Sequence, residues 1–175
     1  MRTLRIALLA TIAAITFGCS KTDKGQQMLA QLNEQNLSLL VYNNDVLTTY
    51  NKHGVRDLLY LYIEEPKLLN GAIVADKKIG TAAATLMALG RVKQAHTNYI
   101  TEQGKQILEE AGIPYFAKSE GPMIYQADGV SRCPVDKGTS ELSTAEERLD
   151  FIINFYEKTD GPIWVVGSNP PCANE

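Results

Sequence analysis

The sequence predicts an α/β layered domain. β-rich runs alternate with helical runs after an opening hairpin, and the helical runs carry apolar residues on one face. The chain has 175 residues, 45% hydrophobic and 21% charged, which suits one domain with its own core. No repeat period and no low-complexity tract competes with that reading. The formal charge is −3 and no lysine–arginine block follows a phosphate backbone, so nucleic acid is not expected as a partner.

The front end has the pattern of an address. Arg2 and Arg5 precede a largely apolar stretch of twelve residues, Ile6 to Phe17, and Gly18-Cys19 follows before a polar run. Twelve residues match the apolar core of a signal peptide and fall short of the roughly 20 that span a bilayer. "ITFGCS" resembles the lipobox of bacterial lipoproteins, with Thr16 where leucine is commonest, and the expectation is lipidation at Cys19. Residues 1–18 are then a signal peptide and 19–27 a tether. Cleavage removes two of the 17 basic residues and none of the 20 acidic ones, taking the charge from −3 to −5. An acidic body implies membrane contact through the lipid alone, in the cell envelope.

The domain proper is expected over 28–158. Gln26 to Gln35 places Met28, Leu29 and Leu32 on one helical face. "LSLLVY" and "VLTTY", joined by "NND", form the hairpin. Val55, Leu58, Leu59 and Tyr62 make a helical stripe that stops before Pro66. "GAIVA" is a buried strand, after which "DKKIG" is expected to turn the chain. "TAAATLMAL" is a strong helix closed by Gly90. "VKQAHTNYI" is a strand, Glu102 to Ala111 a helix, and "IPYFA" a short strand. Thr144 to Lys158 is amphipathic, and residues 159–175 are expected to form a Pro/Gly-rich tail.

Two helix starts concentrate the polar chemistry. In "ADKKIGTAAA", Gly80 and Thr81 open a helix whose first amides lack partners and carry partial positive charge, with Lys77 and Lys78 just upstream. The competing reading is an alanine-rich helix packed on a sheet beside solvated lysines. In "SRCPVDKG", Pro134 suits the first helical position, so Cys133 becomes the cap, and Asp136 sits in the first turn. Cys133 is a candidate nucleophile, a disulfide partner of Cys172, or an inert buried thiol.

The strings "VADKKIGTAAA", "ILEEAGI" and "RCPVDK" together resemble bacterial domain-of-unknown-function family 1893, over Leu37 to about Leu142. The resemblance implies a cytidine-deaminase-like, three-layer α/β/α sandwich with a mixed sheet. In true deaminases one helix opens with a histidine or cysteine and a glutamate, the other with a Cys-x-x-Cys pair, and together they hold zinc. Here the first helix opens Gly80-Thr81-Ala82, and Asp136 stands where the second cysteine of the pair would be. A catalytic zinc needs three protein ligands and an open position, so no metal and no cofactor is expected. His96, in a strand, reads as structural, and His53, in "NKHGV", as a loop residue for which lining a pocket is the less favoured alternative.

Three functions follow, the last in rank being a purely structural envelope protein with Cys133 tied to Cys172. The first is a binding domain that takes a small polar molecule between the two helix starts, through Lys77, Gly80, Thr81 and Asp136. The alternative is a thiol-dependent enzyme with Cys133 as nucleophile and Asp76 or Lys77 moving protons.

Overall fold

The computed structural model describes residues 23–161. The expected lipidation site Cys19 and the tail cysteine Cys172 lie outside these residues. Among the described residues five strands form one mixed sheet in the order β2-β1-β3-β4-β5. The strands are β1 (Leu39–Asn43), β2 (Val46–Tyr50), β3 (Ile73–Ile79), β4 (Gln94–Thr101) and β5 (Tyr115–Gly121). The hairpin β1–β2 is antiparallel, β1 also runs antiparallel to β3, and β3, β4 and β5 are parallel. Asn44 and Asp45 both adopt positive φ (48° and 62°), the conformation a two-residue hairpin loop requires.

Helices cover both faces, giving the expected three layers. On one face lies α1 (Lys24–Glu34), which buries Met28 and Leu32 against Leu40 and Ala75. The other face carries α2 (Arg56–Glu64), the short α3 (Pro66–Leu69), α4 (Thr81–Leu89) and α5 (Glu102–Glu110). Over α4 pack α6 (Pro134–Ser140) and α7 (Ala145–Asp160). Because α4 lies between sheet and helices, every residue from Thr81 to Met87 is buried. Its alanines permit that close approach, and its apolarity all round is the signature of an enclosed helix. A capping box fixes the start of α7: Thr144 accepts from the Glu147 amide while the Glu147 carboxylate accepts from the Thr144 amide. None of the helices among the described residues is long and apolar enough to cross a membrane.

Three elements depart from expectation. "DKKIG" does not turn: β3 runs through Asp76, Lys77 and Lys78 to Ile79. The turn chemistry is nonetheless present. Asp76 Oδ1 accepts from the Lys78 amide at 3.0 Å, a local side-chain bond of the kind aspartate makes in turns. Its register partner Thr97 does the same, accepting from the Tyr99 amide at 3.2 Å. Val74 and Ile79 consequently pack in one core although five residues apart, as do Ala95 and Ile100. Strict period-two alternation would send the members of each pair to opposite faces. Beyond this, β5 extends to Gly121 as an exposed edge strand, and Pro66 opens α3 at a permitted first position.

Candidate functional site

At the end of β3 where this irregularity falls, a cleft of about 920 Å³ opens. Its walls come from the start of α4 (Gly80, Ala82, Ala83), the segment 124–127, the start of α6 (Cys133, Val135, Asp136) and the β2–α2 loop (Asn51, His53, Gly54). Asp76, Lys77 and Lys78 also line it, and Tyr156 of α7 contributes to the wall. The expected site residues Cys133, Asp76, Lys77, Gly80 and Asp136 are therefore together. Thr81 is not in the lining; it is buried, and its hydroxyl bonds to Gln103 Oε1 at 3.2 Å.

The α4 start differs from expectation in one respect. Its first amide is not open to a ligand, because the Thr81 N–H donates to Asp136 Oδ1 at 3.2 Å. The other carboxylate oxygen accepts from the Ile124 amide at 3.3 Å and faces Arg132 Nη2 at 3.5 Å. Asp136 is 3% exposed, so its charge is neutralised inside the protein by the α4 amide and Arg132. Gly80, which has no side chain to cap its own helix, leaves the room: a Cβ there would lie 2.3 Å from Asp136 Oδ1 and 2.7 Å from Ile124 Cδ1. Asp136 thus caps α4 from across the cleft and is spent as a ligand group.

Asp76 remains the acid that faces the cleft. It is 8% exposed, and with Oδ1 bonded to the Lys78 amide, Oδ2 has no hydrogen-bond partner among the described residues. Burial pushes its carboxyl up to about 7; the Lys78 amide and Lys77 oppose that rise, and Asp57 adds to it. Asp57 is itself buried, accepts from the Lys52 amide at 2.8 Å, and is raised mainly by burial. The two ammonium groups near Asp76 reach outward. Lys77 Nζ bonds to Asn36 Oδ1 at 2.7 Å, and Lys78 Nζ approaches the Tyr125 carbonyl at 3.4 Å.

Cys133 is the cap residue of α6, half-buried and in no disulfide among the described residues. Tyr156 shares the cleft wall with it, buried, with its hydroxyl accepting from the Val55 amide at 3.1 Å. Burial raises that phenol to about 12, so it is a neutral hydrogen-bonding group rather than a base. Gly54, at φ 70°, lets the loop pass over it, since a Cβ would sit 2.4 Å from the Tyr156 oxygen. Arg56 stacks 4.6 Å from the Tyr156 ring centre and pairs with Asp160, pinning the loop to α7 (Nη2–Oδ1 2.9 Å). His53 is exposed and lines the cleft, the less favoured of the two readings of its loop.

The sequence profile described as a domain of unknown function (DUF1893) matches residues 27–156. The chain belongs to that family. A solved structure of a DUF1893 family protein from Thermotoga maritima superposes with a TM-score of 0.66 at 23% identity, covering 74% of this chain and 88% of that one. At that identity the likeness establishes a shared fold. No curated protein matches the sequence.

Within this DUF1893 domain the zinc set of the deaminases does not fit. Glycine, threonine and alanine open α4, and Asp136 is bonded to two backbone amides. Among the described residues no group of three or more His, Cys, Asp and Glu side chains is placed to hold a metal ion. His96 is far from such a role: it is 1% exposed, beneath the start of α1. Tyr125 and Tyr156 are among the lining residues that sequence reasoning passed over, whereas Lys78 is noted there beside Lys77 without being assigned to the site. Tyr156 reaches the cleft only through the packing of α7.

Proposed function

We propose that this chain is an envelope lipoprotein whose DUF1893 domain, a zinc-free deaminase-like shell, binds a small polar ligand in the cleft at the end of β3. The observation that carries the reading is Asp76. Its Oδ2 opens to the cleft with no protein donor among the described residues, and burial of the group raises its carboxyl to about 7, so its charged form is held at a cost. A ligand donor reaching that oxygen offsets the cost. The small side chains of Ala82 and Ala83 leave the room, and Lys77 and Lys78 add positive charge at the edge. Ligand recognition then rests on Asp76 and the lysines, while Gly80, Thr81 and Asp136 form the frame. The lipid anchor is supported by the h-region ending at Gly18-Cys19.

Native mass spectrometry of the mature full chain, purified without added ligand, tests the reading. A small molecule carried over by the wild type and lost in Asp76→Asn supports it. A chain that carries nothing, and in which no small molecule protects Cys133 from alkylation, counts against it.

The second reading is a thiol-dependent enzyme, supported by Cys133 and His53 lining one cleft. Cys133→Ser separates the two. It abolishes any turnover of an enzyme and leaves the affinity of a binding domain within about twofold.

A further inference from the structure

We infer that the cleft takes a small zwitterion with an apolar body, its amino group on the Asp76 carboxylate and its acidic group on the lysine ammonium at the rim. The inference rests on the cleft being a ligand site, and it adds the chemical class. Three features converge. The first is the floor: Asp76 is buried, and its Oδ2 has no protein donor among the described residues. A carboxylate accepts and does not donate, so its partner is an N–H or O–H donor, and a charged amine gives the strongest of these bonds.

The second is the rim. Lys78 Nζ, on the Tyr125 side, holds one long contact at 3.4 Å to a carbonyl, and Lys77 Nζ is on the Asn36 side. Asn36 and Tyr125 both line the cleft. An ammonium whose protein contact is that long is free to turn to an acid. The other carboxylate of the cleft does not compete for the amine, because Asp136 is saturated by the Thr81 and Ile124 amides and Arg132.

The third is the wall between. Ala82, Ala83, Ile124, Val135 and Tyr156 line the same cleft and make its wall mostly apolar. A ligand of amine and acid alone would leave that surface wet. A branched or aromatic side chain covers it.

Asp76 also sets the pH dependence. Its carboxyl titrates near 7 in the free protein, so below that pH an incoming ammonium meets a neutral acid and above it a carboxylate. Affinity for the amine therefore rises between about pH 6 and pH 8.

The test uses matched probes on the full mature chain, read by chemical-shift changes of the cleft amides and by protection of Cys133 from alkylation. Leucine is compared with 3-methylbutylamine and 4-methylpentanoate, and phenylalanine with 2-phenylethylamine and 3-phenylpropanoate. The expected result is that an amino acid binds at least tenfold tighter than either of its single-charge analogues. Asp76→Asn removes that advantage together with the increase between pH 6 and pH 8, and Lys78→Ala weakens the amino acid while sparing the amine. Asp76→Asn keeps the size of the side chain and Lys78 is exposed, so both variants fold. If the amines or acids occupy the cleft as tightly as the amino acids, the zwitterion is wrong and the ligand site stands. If probes of all three classes leave cleft amides and Cys133 untouched, the zwitterion is overturned and the ligand-site reading loses its support with it.

Discussion

The carboxylate of Asp136 in α6 accepts the first amide of α4, at 3.2 Å from Thr81 N. Two helix starts that face each other across a cleft are thereby tied together by one side chain. The contact narrows which groups remain for a ligand, because it takes up the first amide of α4 and engages the carboxylate of Asp136 at once.

Removing this tie destabilises the domain. Asp136→Ala strips a buried cap from Thr81 and a partner from Ile124, and leaves Arg132 without its carboxylate. The expected loss is about 1–3 kcal/mol, in the range for unsatisfied buried groups. Gly80→Ala reaches the same end by pushing a methyl into the carboxylate. Chemical denaturation of the two single variants and the double variant checks it: the double loses less than the sum, because both act on one contact.

Asp76 makes the domain less stable as pH rises. Its folded carboxyl is raised to about 7, above the unfolded value, so its favourable contribution is complete below the ordinary carboxylate range and is lost from there up to about pH 7. Asp76→Asn removes this slope. At pH 8 the variant gains on wild type by up to about 4 kcal/mol relative to pH 4, the free energy of holding a carboxyl that far above its ordinary ionisation. Equal differences from wild type at pH 8 and pH 4 would show that Asp76 is not held at a cost.

His96 has the opposite sign. It is buried beneath Gly25, with neither ring nitrogen hydrogen-bonded, and a Cβ on Gly25 would touch Nε2. Burial lowers its ionisation below the ordinary histidine range, and Asp23, 3.5 Å away, opposes that only in part. Stability is present above the unfolded histidine range and falls as pH drops below it, because the unfolded chain takes up the proton more readily. His96→Leu therefore loses less stability than wild type between about pH 7.5 and pH 5. Hydrogen exchange of the α1 amides over that interval localises the effect.

Lipidation at Cys19 is tested by fractionation of cells. Cys19→Ser moves the protein from the membrane fraction to the soluble fraction. Unchanged partitioning removes the lipoprotein assignment without touching the cleft.

The layered fold and most of its elements were legible because their signals are local. Val46–Tyr50 and Thr81–Leu89 occur where β-branched content and alanine-rich helix propensity place them. Gly80-Thr81 and Cys133-Pro134 read locally as two helix starts, and both helices are there. What was not legible depends on contacts distant in sequence. "DKKIG" carries turn chemistry, yet β1 and β4 pair on either side and hold it as strand while Asp76 makes its turn-like bond inside it. Asp136 and Thr81 are 55 residues apart, and no spacing rule announces that one caps the other. Tyr156 joins the cleft through α7, a further 20 residues beyond Asp136.

The most direct test of the ligand cleft is a fragment screen on the isotopically labelled mature chain, read by amide chemical shifts. Small polar fragments are predicted to perturb amides of residues 76–80, 124–127 and 133–136 together, with saturable dependence on concentration and loss in Asp76→Asn. Fragments that bind elsewhere, or that leave all three segments unmoved, would contradict the assignment of this cleft as the functional site.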